Sequence, residues 1–216
     1  MLNHAHQLNQ ATDFLASLDA DWAKLIATVG PCKLTAKIEQ APYQALMRAV
    51  AYQQLHAKAG DAILKKLGAL LGKSNVENAA SIEFPSAAQV IAAEVADLRA
   101  CGFSTRKIET LKSIAQGALS GLVPSFSDAQ AMSDQQLIDR LTTLKGIGQW
   151  TVEMMLMFNL ARMDVLPAND LAIVAGYQRL KGLAIAPKPK AMAQIALAWR
   201  PYRSVASWYL WRVPKH

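Results

Sequence analysis

The sequence predicts an all-α protein. Apolar residues recur at three- and four-residue spacing along most of the chain, the mark of helices burying one face. Extended period-two runs of Val, Ile and Thr are nearly absent, as are Asn-Gly hairpin turns. Gly and Pro punctuate the helical pattern, at Gly30-Pro31, Gly72, Pro85, Gly102, Gly117, Pro124, Gly146, Pro167, Gly182 and Pro187.

The helical spacing covers residues 11–28, 42–58, 60–72, 86–100, 105–118, 134–143, 149–161, 170–181, 189–199 and 202–212. Ser133 followed by Gln136 has the pattern of a capping box, which predicts a helix start there. Ser104 is a candidate N-cap for the helix that follows it. About ten short helices and no sheet are expected.

Composition narrows the function classes. With 216 residues, 52% hydrophobic and 18% charged, the chain is long enough to bury a core and shows no bias towards disorder. No apolar run approaches the roughly 18 residues of a membrane span, and the start, MLNHAHQLNQ, lacks a signal peptide's basic and apolar regions. Two cysteines, Cys32 and Cys101, are too few for a disulfide framework, a four-thiolate zinc site or an iron–sulfur cluster, so a reducing compartment is the expectation.

Charge is unevenly spread. The net charge is +7, yet eight of the 23 basic residues and none of the 16 acidic ones lie between 171 and 216. A cationic third on a near-neutral body suggests a surface for a polyanion, with a solvated basic tail as the alternative. Trp199, Tyr202, Trp208, Tyr209 and Trp211 in that third need burial or a ligand, which argues against a loose tail.

The sharpest local feature is Leu144-Lys145-Gly146-Ile147-Gly148-Gln149-Trp150, between two helical patterns. A Gly-x-Gly turn opening a helix exposes backbone N–H groups at the positive end of the helix dipole, an arrangement that binds anions. Ile147 is expected to plug into the core and pin the turn. Twenty-two positions after Gly148 stands Asp170, behind Pro167-Ala168-Asn169, where the next helix begins. An N-cap role is the ordinary reading of such an Asp. That role is compatible with catalysis, because the helix dipole holds the carboxylate rigid and anionic.

These segments resemble the helix-hairpin-helix DNA glycosylase superfamily, and within it the 3-methyladenine DNA glycosylase II (alkylpurine) group. The hairpin is similar from Leu144 to Thr151, and the family's catalytic Asp falls where Asp170 stands. The similarity extends to 51–59 (AYQQLHAKA), 98–107 (LRACGFSTRK) and 199–204 (WRPYRS), and covers roughly residues 40–212. The resemblance implies two helical lobes with a DNA-binding cleft between them. The central lobe, 42–160, carries the helix-hairpin-helix motif (133–161), and the termini, 1–41 plus 161–216, form the second. About 40 residues precede the similarity, so the N-terminal β domain of some members is expected to be absent.

The resemblance implies a hydrolase that flips out alkylated purines of the 3-methyladenine and 7-methylguanine type and cleaves the N-glycosidic bond, with Asp170 as catalytic carboxylate. Members that also cut the backbone carry a Lys two positions after the second hairpin Gly. Trp150 stands there, so no Schiff base forms and a monofunctional enzyme without AP lyase activity is expected. Trp150 matches a base-pocket position, with Tyr202, Phe158 and Trp208 as further candidates and ordinary core as their alternative. Gln54, Leu55 and His56 lie where the family places its wedge residue. Gly146, Gly148, Lys145, Thr151 and Arg203 are candidate DNA-phosphate contacts, and Lys58 is a looser one. The resemblance also implies a structural Na+ or K+ bound by the carbonyls of Thr142, Leu144 and Ile147, with no catalytic cofactor and no iron–sulfur cluster. The expected partner is double-stranded DNA with alkylated bases, met by a monomer in the bacterial cytoplasm at the nucleoid or in a eukaryotic nucleus. Two other readings stay open: a non-enzymatic helix-hairpin-helix DNA-binding module, and a glycosylase for deaminated or oxidised bases.

Overall fold

The computed structural model describes residues 2–38, 40–53, 55–72 and 84–214. Among these the protein is all-helical, with no strand. The helices are α1 (Leu2–Leu18), α2 (Ala20–Val29), α3 (Pro42–Tyr52), α4 (Ala57–Leu71), α5 (Ala87–Ala92), α6 (Val95–Cys101), α7 (Thr105–Leu119), α8 (Phe126–Ala131), α9 (Asp134–Leu141), α10 (Gln149–Phe158), α11 (Leu171–Leu180), α12 (Pro189–Ile195), and, after a 3-10 turn at Ala196–Trp199, α13 (Arg203–Leu210).

Helix starts follow from cap chemistry. Ser133 accepts from the Gln136 N–H, and the Gln136 side chain accepts from the Ser133 N–H, completing the expected capping box of α9. Ser104 caps α7 through the Lys107 N–H. There are three departures from the sequence reading, and the same rule accounts for two of them, at Asp19 and Ser125. The pattern over 11–28 is two helices, because Asp19 takes an extended backbone and its carboxylate accepts from the N–H groups of Asp21 and Trp22. The pattern over 86–100 divides at Ala93 and Glu94, after the Ser86–Gln89 capping box opens α5. Helix α8 was not anticipated, and it starts on the Ser125 hydroxyl, which accepts from the Asp128 N–H.

The chain divides into two compact units, Met1–Ala36 with Leu156–His216 and, separately, Lys37–Met155. In the first unit α1 packs on α2, and α13 packs on α11, α1 and α2. Leu15, Trp22, Ile173, Trp199, Val205 and Tyr209 fill its core, and Trp22 meets Trp199 edge to face at 5.4 Å. Helix α11 crosses α13 so closely that a Cβ on Gly176 would lie 2.1 Å from the Leu210 carbonyl oxygen. In the second unit α7 packs against α3, α5 and α6, with Leu98, Leu111, Ile114, Leu137 and Leu141 fully buried. No helix among the described residues is long and apolar enough to cross a membrane.

The α11–α13 crossing yields a prediction. Gly176→Ala forces these backbones apart and lowers stability by about 3 kcal/mol, the upper range for overpacking. The expected fall in thermal midpoint is roughly 6–12 °C, read by calorimetry against Gly182→Ala. That control site has open space around it but a positive φ, so its cost is backbone strain alone.

Candidate active site

In the second unit α9 and α10 are joined by the Gly146-Ile147-Gly148 turn. The Leu144 N–H donates to Leu141 O and the Ile147 N–H to Leu144 O, both at 3.1 Å. Leu144 and Ile147 are each 4% exposed, so the turn is pinned from inside. Gly146 has φ +83°, and a Cβ there would lie 2.0 Å from the Thr110 hydroxyl. Gly148 faces open space. The N–H groups of Gly148 and Gln149 donate to no carbonyl among the described residues, as expected of the first turn of a helix. Lys145 lies beside them; its N–H donates to Ser113 Oγ, and its ammonium pairs with Glu109 at 2.8 Å on the exposed surface.

Trp150, 41% exposed, stands at the rim of a cavity of about 450 Å³ lined also by Tyr52, Gln53, Ser104, Arg106, Lys107 and Gly146. Thr151, a candidate phosphate contact, turns inward instead: it is 3% exposed and its hydroxyl accepts from the Gln53 amide at 3.4 Å. The turn between α3 and α4 presents Leu55, which is 42% exposed and so outside the core, together with an exposed His56 and Lys58. Gln54 lies outside the described residues. Sequence reasoning passed over Arg106, an exposed cation on this rim whose side chain has no ion-pair partner among the described residues.

In the first unit Asp170 is the N-cap of α11. Its Oδ1 accepts from the N–H groups of Ala172 at 2.8 Å and Ile173 at 3.0 Å, and from the Trp211 indole N–H at 3.3 Å. The Trp211 ring stacks on Phe158, with centroids 6.0 Å apart and planes at 24°. The loop ahead of Asp170 is fastened to the start of α13. Ser204 Oγ donates to Arg162 O and accepts from the Val165 N–H. The Arg203 guanidinium meets the Asp164 carboxylate through both Nε and an Nη, and donates to the Asp164 carbonyl as well. Burial alone would push the Asp164 carboxyl up, but its bonds to Arg203 and Arg200 hold it below the ordinary Asp value.

Three expectations change in this unit. Arg203 is committed to Asp164 and fastens the Asp170 loop, so its charge is neutralised within the fold rather than offered to a phosphate. Trp208 is core: it is 5% exposed, edge-on to Tyr209, and covered by the Arg212 guanidinium at 3.7 Å. Tyr202 packs edge-on against Phe14 at 5.4 Å, beside the core. The aromatic beside Asp170 is Trp211, three residues beyond Trp208; three rings among the four residues 208–211 conceal which of them faces inward. The basic third is likewise largely structural. Lys181 bridges Asp19 and Asp21, Arg200 pairs with Asp164, and Arg179 donates to Val213 O. Lys188 and Lys190 are exposed and make no ion pair among the described residues.

The glycine hairpin with open backbone donors and the capped aspartate held by an indole are the two features on which the family resemblance rests. Residues 47–201 match the family described as HhH-GPD superfamily base excision DNA repair protein. The chain belongs to that superfamily. It is 42% identical to DNA-3-methyladenine glycosylase 1 of Schizosaccharomyces pombe over 96% of this chain and 88% of that protein. It is 34% identical to the alkylbase DNA glycosidase-like protein mag2 of the same organism, over 95% and 93%. The solved structure of the S. pombe 3-methyladenine DNA glycosylase (Mag1) in complex with abasic DNA superposes with a TM-score of 0.82 at 41% identity, covering 94% of this chain and 95% of that one.

The two hairpin glycines are expected to respond differently. Gly146→Ala meets Thr110 from a left-handed backbone and costs about 2 kcal/mol of stability. Gly148→Ala leaves stability within about 1 kcal/mol but sets a methyl group where an anion would approach the open N–H groups. Melting curves, with fluorescence polarisation on a duplex carrying an abasic analogue, should separate them. Unchanged affinity in a folded Gly148→Ala protein would remove the hairpin from the DNA interface.

Proposed function

We propose that this protein is a monofunctional DNA N-glycosylase that excises alkylated purines of the 3-methyladenine and 7-methylguanine type and so initiates base excision repair. The observation that carries the reading is Asp170, fixed by two backbone N–H groups and the Trp211 indole beside the stacked Phe158–Trp211 pair.

The chemistry follows from the residues. The target base lies inside the duplex and must be flipped out, which costs a few kcal/mol. Leu55 and His56, exposed on the α3–α4 turn, suit the task of filling the gap. N-alkylation leaves the purine cationic and therefore a good leaving group without a general acid. An electron-rich ring face attracts such a cation, a role the Phe158–Trp211 pair beside Asp170 suits. As the glycosidic bond breaks, the sugar develops oxocarbenium character, and the Asp170 carboxylate stabilises it and orients the incoming water. The bond's electron pair leaves with the base, water adds to the sugar carbon and loses a proton, and an abasic site remains. Trp150 offers no amine at the position where a lyase forms its Schiff base, so the strand stays intact. The substrate places the enzyme with the DNA, at the nucleoid of a bacterium or in a nucleus.

Asp170→Asn tests the mechanism, since Asn serves as an N-cap almost as well as Asp and only the charge is lost. Release of 7-methylguanine from methylated duplex is expected to fall by about 10²–10⁴-fold with DNA affinity and thermal midpoint nearly unchanged. If wild type and variant both bind DNA and neither releases a base, the protein is a binding module. Release only from deaminated or oxidised duplexes would change the substrate class.

We also propose a monovalent cation at the hairpin. The Thr142 and Ile147 carbonyls accept no hydrogen bond among the described residues, and with Leu144 O they form a neutral set of hard oxygens suited to Na+ or K+. The described residues contain no cluster of His, Cys, Asp or Glu for a transition metal. Bound there, the ion would add positive charge beside the phosphate-facing N–H groups. Replacing K+ by tetramethylammonium at constant ionic strength is expected to weaken DNA binding severalfold. Equal affinity in both salts would exclude the ion.

A further inference from the structure

Among the described residues, the turn joining α3 to α4 has few backbone hydrogen bonds of its own. The Leu55 N–H donates to Tyr52 O at 3.1 Å, and the Ala59 and Gly60 N–H groups return to His56 O. His56 is the N-cap of α4 but makes no side-chain cap bond. Two carbonyls at this end of α3 are met from another helix. Lys107, on the first turn of α7, donates from Nζ to Ala51 O at 3.1 Å and to Gln53 O at 2.9 Å. A cation on the last carbonyls of a helix is favoured by the helix dipole, and an ammonium has enough donors to take both. Lys107 is half-buried, and that burial lowers its pKa from the value of a solvated lysine. The same turn has a second tie, from the Gln53 amide to Thr151 Oγ1 on the first turn of α10, directly after the glycine hairpin.

We propose that Lys107 is a positioning residue for base flipping: its ammonium clamps the α3–α4 turn so that Leu55 and His56 meet the duplex in one fixed register, while Gln53 and Thr151 tie that turn to the hairpin. Two of the three N–H donors of the Lys107 ammonium are spent on the carbonyls of this turn. The proposal rests on Leu55 and His56 being the side chains that enter the duplex. A slack turn would leave hairpin binding intact and let the flipped nucleotide fall back into the stack. The cost then appears in the step after binding, and only where the lesion has a stack and a partner to return to.

The experiment compares single-turnover excision of 7-methylguanine from two duplexes, one with the lesion paired to cytosine and one with it opposite an abasic analogue, where flipping costs less. Lys107→Met is expected to lose about tenfold on the paired duplex, the scale of a lost charge-assisted hydrogen bond, and less than about threefold on the unpaired one. Its affinity for duplex with an abasic analogue should stay within about threefold of wild type. Equal losses on both duplexes would make Lys107 a general structural residue and overturn the proposal, as would no loss on either. Should the methionine variant not fold, Lys107→Gln, which keeps an amide donor, is read the same way. Leu55→Ala and His56→Ala run alongside. If neither slows the paired duplex, the wedge reading fails and the proposal with it. If they slow it and Lys107→Met does not, the clamp alone fails.

Discussion

Every α-helix leaves four N–H groups at its start and four carbonyls at its end without a partner in its own ladder. The structure packs many short helices into 216 residues, several of them only six to eight residues long, so a large share of its backbone consists of such ends. Satisfying them is the constraint on which the rest depends. Asp19, Ser86, Ser104, Ser125, Ser133 and Asp170 each spend a side-chain oxygen on the first turn of a helix. Where a cap divides an apolar pattern, as at Asp19, one expected helix becomes two.

The site residues are the same constraint put to further use. Asp170 caps α11 as Ser133 caps α9, but its carboxylate also accepts the Trp211 indole and carries a charge. The hairpin differs in leaving the N–H groups of Gly148 and Gln149 without a protein acceptor among the described residues, where a phosphate oxygen can take that place. At the end of α3 the unclaimed groups are carbonyls, and a lysine takes them. Open donors, a capped carboxylate and carbonyls met by a lysine are three outcomes for helix ends in one protein.

The positive charge is distributed by the same economy. The run from 171 to 216 reads as a continuous basic surface because it lacks acidic residues. In the fold Lys181 and Arg203 reach carboxylates far away in sequence, at Asp19, Asp21 and Asp164, and Arg212 lies over an indole. A count of charges by sequence position cannot register a partner 160 residues away. Arg106 and Lys145, on the hairpin's own unit, are the exposed cations beside the open backbone donors.

The sequence by itself determined the helical fold class, the capping box of Ser133 and Gln136, the glycine hairpin and the capping position of Asp170, because each depends on residues within one or two turns of each other. Local spacing also marked Ile147 as inward-facing. Only the tertiary structure decided which aromatic lies beside Asp170, since Trp208 on α13 and Trp211 just past its end are three residues apart and the packing of that helix chooses between them. It also decided that Arg203 fastens the Asp170 loop, that Thr151 turns inward to Gln53, and that Lys107 holds a turn more than 50 residues away in the chain. Those assignments depend on which atoms meet across the core, a property of three-dimensional packing that no spacing within a single helix encodes.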